Sequence, residues 1–180
     1  MKLKFTLVKS DFLQFQLFQS SCSENVKKRR DKNRKWVPIL YLALALILFV
    51  QSHIFAALFL ILAATGWWFI YPRYESKRYV NWYSKHLDEH YAGRFNQEVT
   101  IEITEDQIEM TDSVGKSTVH LKEVEKILEI STHYFIRIKS GVHIIIPKNQ
   151  IDSQELNSFI NYMTEERAVP LFQDTDWIWK

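Results

Sequence analysis

The residues of this chain best suited to chemistry by type and spacing are its histidines, and the first to weigh is the run His86-Leu87-Asp88-Glu89-His90. On a helix, His86 and His90 share one face at i, i+4. Two imidazoles so placed can ligate zinc while Glu89 acts as base, the inverted-motif metalloprotease arrangement. Such a centre needs a third protein ligand and a substrate chamber, and a helix that joins a membrane segment to a small β domain supplies neither. The expectation is therefore a polar helix face, and a metal-dependent hydrolase using His86, Glu89 and His90 is the enzymatic alternative. His120, His133 and His143 fall on expected strands, where a hydrogen-bonded histidine is a simpler reading than a shared metal site. His53 lies in a polar turn. Cys22, the only cysteine, excludes an intramolecular disulfide and a Cys-based zinc site. The chain has four glycines, none at phosphate-loop or dinucleotide spacing. Scattered Ser, His and Asp residues leave a catalytic triad open without supporting one. No catalytic residue, metal or cofactor is expected, and the chain is read as a non-enzyme.

The segment that must position any such residues dominates the sequence. From Trp36 to Tyr71 there is no Asp, Glu, Lys or Arg. One helix over that run would be roughly 54 Å long at ~1.5 Å per residue, against a hydrocarbon core of about 30 Å, so two short spans must share it. The polar triplet Gln51-Ser52-His53 marks the turn, with a re-entrant hairpin as the alternative. The net charge is only +2, but the basic residues cluster at the flanks. Lys27, Lys28, Arg29, Arg30, Lys32, Arg34 and Lys35 precede the first span, and Arg73, Lys77 and Arg78 follow the second. Cytosolic loops carry such an excess, which predicts a multi-pass protein of the cell membrane with both termini cytosolic. Trp36, Trp67, Trp68 and Tyr71 complete the membrane-interface set as an aromatic belt. The basic run reads as a topology signal with electrostatic adhesion to anionic headgroups, and not as a nucleic-acid site. The N-terminus, interrupted by Lys and Gln, does not read as a cleaved signal peptide.

Around the hairpin the period changes. Leu3 to Val8 alternates as a strand, and Ser10 can cap a helix carrying Phe12, Leu13, Phe15, Leu17 and Phe18. A lone strand needs a partner, and the only sheet available lies beyond the hairpin, so the hairpin is expected as an insertion in a domain. Arg73 to Tyr91 predicts a helix with Tyr79, Tyr83, Leu87 and Tyr91 at i+4 steps, ended near Gly93. From Val99 the pattern has period two, with strands near 99–103, 108–111, 118–121, 127–131, 134–139 and 142–147. Asp152 and Ser153 then offer caps for a helix with Leu156, Phe159, Ile160 and Met163 on one face.

The strand and aromatic helix, the basic stretch, the hairpin, the segment beginning Tyr71-Pro72-Arg73, the run from Ile103 to Ile138 and the ending Ile144-Ile145-Ile146-Pro147-Lys148 together resemble the YcxB-like membrane proteins of bacteria. The resemblance implies a C-terminal domain similar to pleckstrin-homology (PH) folds and implies no catalytic residues. The expected fold class is α+β: a transmembrane hairpin inserted into a PH-like antiparallel barrel or sandwich of about seven strands, closed by a C-terminal amphipathic helix. Five regions follow: 1–35, the strand, helix and basic juxtamembrane segment; 36–71, the hairpin; 72–95, a juxtamembrane helix; 96–170, the cytosolic PH-like domain; and 171–180, an aromatic tail. Trp177 and Trp179 in that tail are expected to dock on the protein, to extend a sheet edge or to sit in the bilayer interface. The functional expectation is a membrane-tethered interaction module whose partners are the bilayer and a peptide or membrane protein. Self-protection against a membrane-active peptide is a further alternative.

Overall fold

A computed structural model describes every residue from Met1 to Lys180 and divides into two compact units. One comprises Met1–Phe15 with Ser84–Ile178, and the other Gln16–Tyr83 with Trp179–Lys180.

The second unit is built on two long helices, α2 (Glu24–Val50) and α3 (Ile54–His90), preceded by the end of α1 (Lys9–Cys22). Both are long and apolar enough to cross a membrane. The turn between them has the Schellman geometry. Ser52 takes the left-handed conformation at φ +64°, its N–H donates to Phe49 O at 3.0 Å, and His53 N–H donates to Leu48 O at 2.9 Å. The expected break at Gln51-Ser52-His53 is therefore found there. Burial in the hairpin is inverted relative to a water-soluble helix pair. Its most buried positions include the small residues Ala45, Ala57 and Ala64, while Phe55, Leu62 and Val50 are 90%, 71% and 77% exposed. Small residues let two helix backbones approach closely and leave the large apolar side chains facing outward.

The first unit is a β structure. β1 (Lys2–Leu7), β2 (Gln97–Ile103), β3 (Gln107–Thr111) and β4 (Lys116–His120) form one antiparallel sheet in sequence order. β5 (Val124–Ile130), β6 (His133–Ile138), β7 (His143–Pro147) and β8 (Leu171–Asp174) form a second, ordered β7-β6-β5-β8. The N-terminal strand finds its partner across the long helical insertion, with Lys2 opposite Glu102 and Leu7 opposite Gln97. Leu3 and Phe5 of β1 and Val99, Ile101 and Ile103 of β2 point inward, as alternation requires. They meet Ile127, Ile136, Ile144 and Ile146 of the second sheet in one core. α4 (Ser153–Asn161) covers that core with Leu156, Phe159 and Ile160, joined by Met163 just beyond it. Asp152 caps it, accepting from the N–H groups of Gln154 and Glu155 at 2.8 and 3.2 Å. The second sheet is covered on its other face too, since Phe15 of α1 lies 5.4 Å from Phe135. Double coverage accounts for the unbroken apolar run Ile144-Ile145-Ile146, all three buried.

Two parts of the expected fold are corrected. The sheets remain two open four-stranded layers and do not close into a barrel. There are eight strands, and the chain does not end at the helix: β8 follows it and pairs with β5 in parallel, Ile127 opposite Leu171. A parallel partner needs a long return connection, here running through α4, and four residues without alternation give no strand signal.

Candidate functional site

All the basic and aromatic residues expected at a membrane interface lie on α2 and α3. The helices bring several of them together at the foot of the hairpin. Glu75 of α3, almost fully buried, is the hub: Arg30 Nε donates to its Oε2 at 3.2 Å and Tyr71 Oη to its Oε1 at 2.9 Å. Arg30 is held on its other side by the tail. Its Nη2 donates to Lys180 O at 2.5 Å, and its guanidinium lies 4.8 Å over the Trp179 ring. Trp179 Nε1 donates to Ser76 O at 3.1 Å, and the ring packs edge-on against Tyr79 at 5.6 Å. The Trp179 end of the tail is thus docked on the protein. Arg34 covers the Trp68 ring at 4.3 Å, and Trp67 stacks on Tyr71 at 4.8 Å.

The other charges divide in two. Lys27 pairs with Glu24 and Lys35 with Asp31, while Arg73 reaches the Phe69 carbonyl. Lys28, Arg29, Lys32, Lys77 and Arg78 make no ion pair. Arg29 of α2 and Arg78 of α3 both line a cleft of about 400 Å³, with Asn25 and Asn33 on the α2 wall and Trp82 and Tyr83 on the α3 wall. Asn25, Arg29 and Asn33 recur at i+4, as do Glu75 with Tyr79 and Arg78 with Trp82, so each wall is one helix stripe. Sequence reasoning found Arg29 and Arg78 but not Glu75, Asn25, Asn33 or Trp82. An acid within the otherwise basic flank after the second span was the available signal for Glu75.

In the β unit, the residues weighed as zinc ligands are not joined by a third ligand. The His86 and His90 rings are 4.5 Å apart, but Glu89 turns toward Lys85 at 3.7 Å. No three His, Cys, Asp or Glu residues group as metal ligands anywhere in the chain. His120, His133 and His143 are likewise not gathered on one centre. His133 instead faces Asp11 of α1, Nε2 to Oδ1 at 3.2 Å, and its Nδ1 lies 2.7 Å from Thr132 Oγ1. Asp11 also accepts the Val8 N–H at 2.8 Å, so one buried carboxylate fixes both the start of α1 and its seat on β6. This Asp-His-Thr chain opens on a cavity of about 390 Å³ that Lys148 also lines. His143 sits 4.8 Å from Phe15; burial first, and then the Arg137 charge, hold its imidazole below the ordinary range.

A second buried carboxylate organises the second sheet. Glu129 of β5 accepts from Lys148 Nζ at 2.6 Å and from Gln173 Nε2 of β8 at 2.7 Å, and Lys148 Nζ lies 4.5 Å over the Tyr134 ring. Burial pushes the Glu129 carboxyl up, but the hydrogen bonds from Lys148, Gln173 and Tyr134 outweigh it and hold the group below its usual value. Burial, with the Glu129 carboxylate beside it, pushes the Tyr134 hydroxyl up to about 12.

The strands from β3 to β7 and the helix α4 are the part of the chain that comparison with known families recognises. Residues 103–163 match the family model for YcxB-like protein. The match bears out the resemblance over about a third of the chain. Within this YcxB-like segment, the Ile144–Lys148 ending has a physical role, since three isoleucines fill both faces of β7 and Lys148 neutralises Glu129. The hairpin and its basic flank lie outside the YcxB-like match. No curated protein and no solved structure gives a significant match.

Proposed function

We propose that this protein is a membrane-anchored, non-enzymatic interaction module: α2 and α3 cross the cell membrane as a hairpin, both termini are cytosolic, and the β unit presents a PH-like binding surface there. The observation that carries this reading is the inverted burial of the hairpin, with alanines inside and phenylalanine, leucine and valine outside. In water such faces would aggregate; in lipid they are the solvated surface. Only 11% and 17% of the most apolar stretches of α2 and α3 are buried, unlike the core helices of a soluble protein. The charged flanks and neutral turn support the orientation.

The order of four strands, three strands and a helix supports the PH-like assignment, on which β8 is an addition. The open edges support binding by strand addition. Gln150 covers the β1 edge at Thr6, its side chain both accepting from Thr6 N–H and donating to Thr6 O at 2.8 Å. β4 pairs only with β3 and its residues are largely exposed, so its outer edge suits an extended peptide or a membrane-protein segment.

Thiol accessibility in intact cells tests the topology. In a Cys22→Ala background, single cysteines replace Gln51, Ser117 and Ser153, all exposed in the structure. Gln51 is preferable to Ser52 because Ser52 occupies the left-handed region, where a cysteine is strained. A membrane-impermeant reagent is expected to label Gln51→Cys alone. Labelling of the Ser117 or Ser153 variant overturns the orientation, and failure at Gln51 with the others also protected leaves a re-entrant hairpin.

A further inference from the structure

We propose that the cleft at the foot of the hairpin is a binding site for a phosphate group, and that its occupant is the headgroup of an anionic phospholipid. The proposal rests on the membrane-spanning reading above and adds the ligand class and the residues that take it.

Arg29 and Arg78 are two guanidiniums on opposite walls of one cleft, and neither has an ion-pair partner, although neighbouring cations are matched to Glu24, Asp31 and Glu75. An arginine presents a planar fork of donors that fits two phosphate oxygens at once, a geometry a lysine lacks. The Asn25 and Asn33 amides add donors on the same wall as Arg29. Glu75, the carboxylate that lines the cleft, does not repel an anion as a free acid would, because Arg30 neutralises it and Tyr71 donates to it. The fourth side is aromatic. Tyr79 is braced from behind by Trp179, and Tyr83 is hydrogen-bonded to Ser20. With exposed Trp82 they give a face for the glycerol backbone and the first acyl carbons. The cleft's volume of about 400 Å³ suits a phosphoglycerol group.

Its level along the helices favours lipid over a soluble anion. Arg29 lies seven residues before Trp36 and Arg78 seven residues after Tyr71, each ~10 Å outside the aromatic belt at ~1.5 Å per residue. Polar headgroups extend roughly 5–8 Å beyond the hydrocarbon on each side, a gap that an arginine side chain spans. Trapped between two helices, the phosphate is held by specific donors, unlike lipid gathered diffusely by Lys28 and Lys32.

The test uses the full-length protein in nanodiscs of phosphatidylcholine containing a small fraction of fluorescently labelled phosphatidylglycerol, with energy transfer from the protein's tryptophans reporting occupancy. Arg29→Gln/Arg78→Gln is expected to lower the apparent affinity at least tenfold, and Lys28→Gln/Lys32→Gln, which removes the same charge outside the cleft, less than threefold. Arg29→Lys/Arg78→Lys keeps the charge and loses the fork, and is expected to lose several-fold. Equal losses in the arginine-to-glutamine and lysine-to-glutamine pairs, or none in either, overturn the site. Displacement of the labelled lipid by millimolar inorganic phosphate overturns the lipid assignment in favour of a soluble anion. A protein that never enters the nanodisc overturns the membrane reading itself, which separates that failure from failure of the site.

Discussion

Replacing Lys148 with methionine removes the cation that neutralises Glu129 while nearly preserving the length of the side chain. The Lys148 Nζ to Glu129 Oε1 distance is 2.6 Å, with side chains 22% and 9% exposed. At an effective dielectric of about 20 the attraction is roughly 6 kcal/mol. Desolvation of both groups cancels about half, leaving a loss near 3 kcal/mol, of the order seen when one partner of a buried pair is removed. For a domain of this size that lowers Tm by on the order of 12 °C. The effect must also depend on pH. Without Lys148 the buried carboxylate loses its main hydrogen-bond donor, its pKa rises, and protonation relieves the penalty, so the gap between wild type and Lys148→Met should narrow from pH 7 to pH 4. The assay is denaturant unfolding of the purified protein in detergent, followed by hydrogen exchange at the amides of β5 and β6, with Glu129→Gln/Lys148→Met completing the cycle. The double variant should recover most of the loss. A single-variant cost below about 1 kcal/mol, or a cost that stays flat with pH, would refute the account of Glu129 as a carboxylate kept ionised by Lys148.

The intact network should give two pH edges. Glu129 has a depressed native pKa, so its contribution is complete above the ordinary carboxylate value of 4.5 and fades as pH falls through the native one; Tyr134 has a raised pKa, so its contribution is complete below 10 and fades between there and about 12. Unfolding midpoints across both ranges check this, and a flat alkaline limb would contradict the Tyr134 half. Asp11→Ala strands the Val8 N–H and His133 Nε2, and is expected to cost about 2–4 kcal/mol in urea unfolding; a cost under 1 kcal/mol would mean that water replaces the carboxylate freely. Ala168 adopts φ +53°, so Ala168→Gly should raise stability by about 1 kcal/mol, and a loss would show the strain argument to be misplaced. In the hairpin, Ala57→Phe should weaken helix pairing sharply while Phe55→Ala leaves it nearly unchanged, as read by disulfide trapping between cysteines on α2 and α3. Equal effects would discard the assigned interface.

What was legible in the sequence followed the strength of its period. The absence of charge from Trp36 to Tyr71 located both long apolar helices and their turn, because an unbroken apolar run interrupted only by Gln51-Ser52-His53 leaves a visible gap in the charge pattern. Alternation located β1 and β2, and a lone strand with nowhere else to go pointed β1 to the sheet beyond the hairpin, though not to β2 in particular. β8 was illegible because the four residues Leu171-Phe172-Gln173-Asp174 are too few to show alternation; its place is set by Gln173 reaching Glu129 and by Ile127 N–H finding Pro170 O. The site residues behaved similarly. Basic flanks announce themselves by composition, whereas the pairing of Arg30 with Glu75 and of Asp11 with His133 depends on helices and strands meeting at particular turns, which no local pattern records. The His86–His90 motif shows the converse limit: i, i+4 spacing supplies two ligands and leaves any third to tertiary structure, which groups none with them.

The two units obey opposite burial rules, and that contrast argues for the anchor reading more strongly than hydropathy does. In the β unit Phe135, Phe159, Ile127 and Ile146 are fully buried and Lys2, Lys4 and Glu98 face out, the order that water imposes. In the hairpin the order reverses from Pro38 onward, with alanine at the contact and isoleucine, leucine and phenylalanine outside. The reversal begins within a few residues of the last basic side chain, Lys35, and ends where Arg73 resumes the charged pattern. A change of burial rule at two such borders, both marked by tryptophan or tyrosine, is what the proposed anchor in lipid requires. On the proposed anchoring, the cationic cleft lies just on the aqueous side of those borders, where a phosphate group is the most abundant anion a bilayer offers.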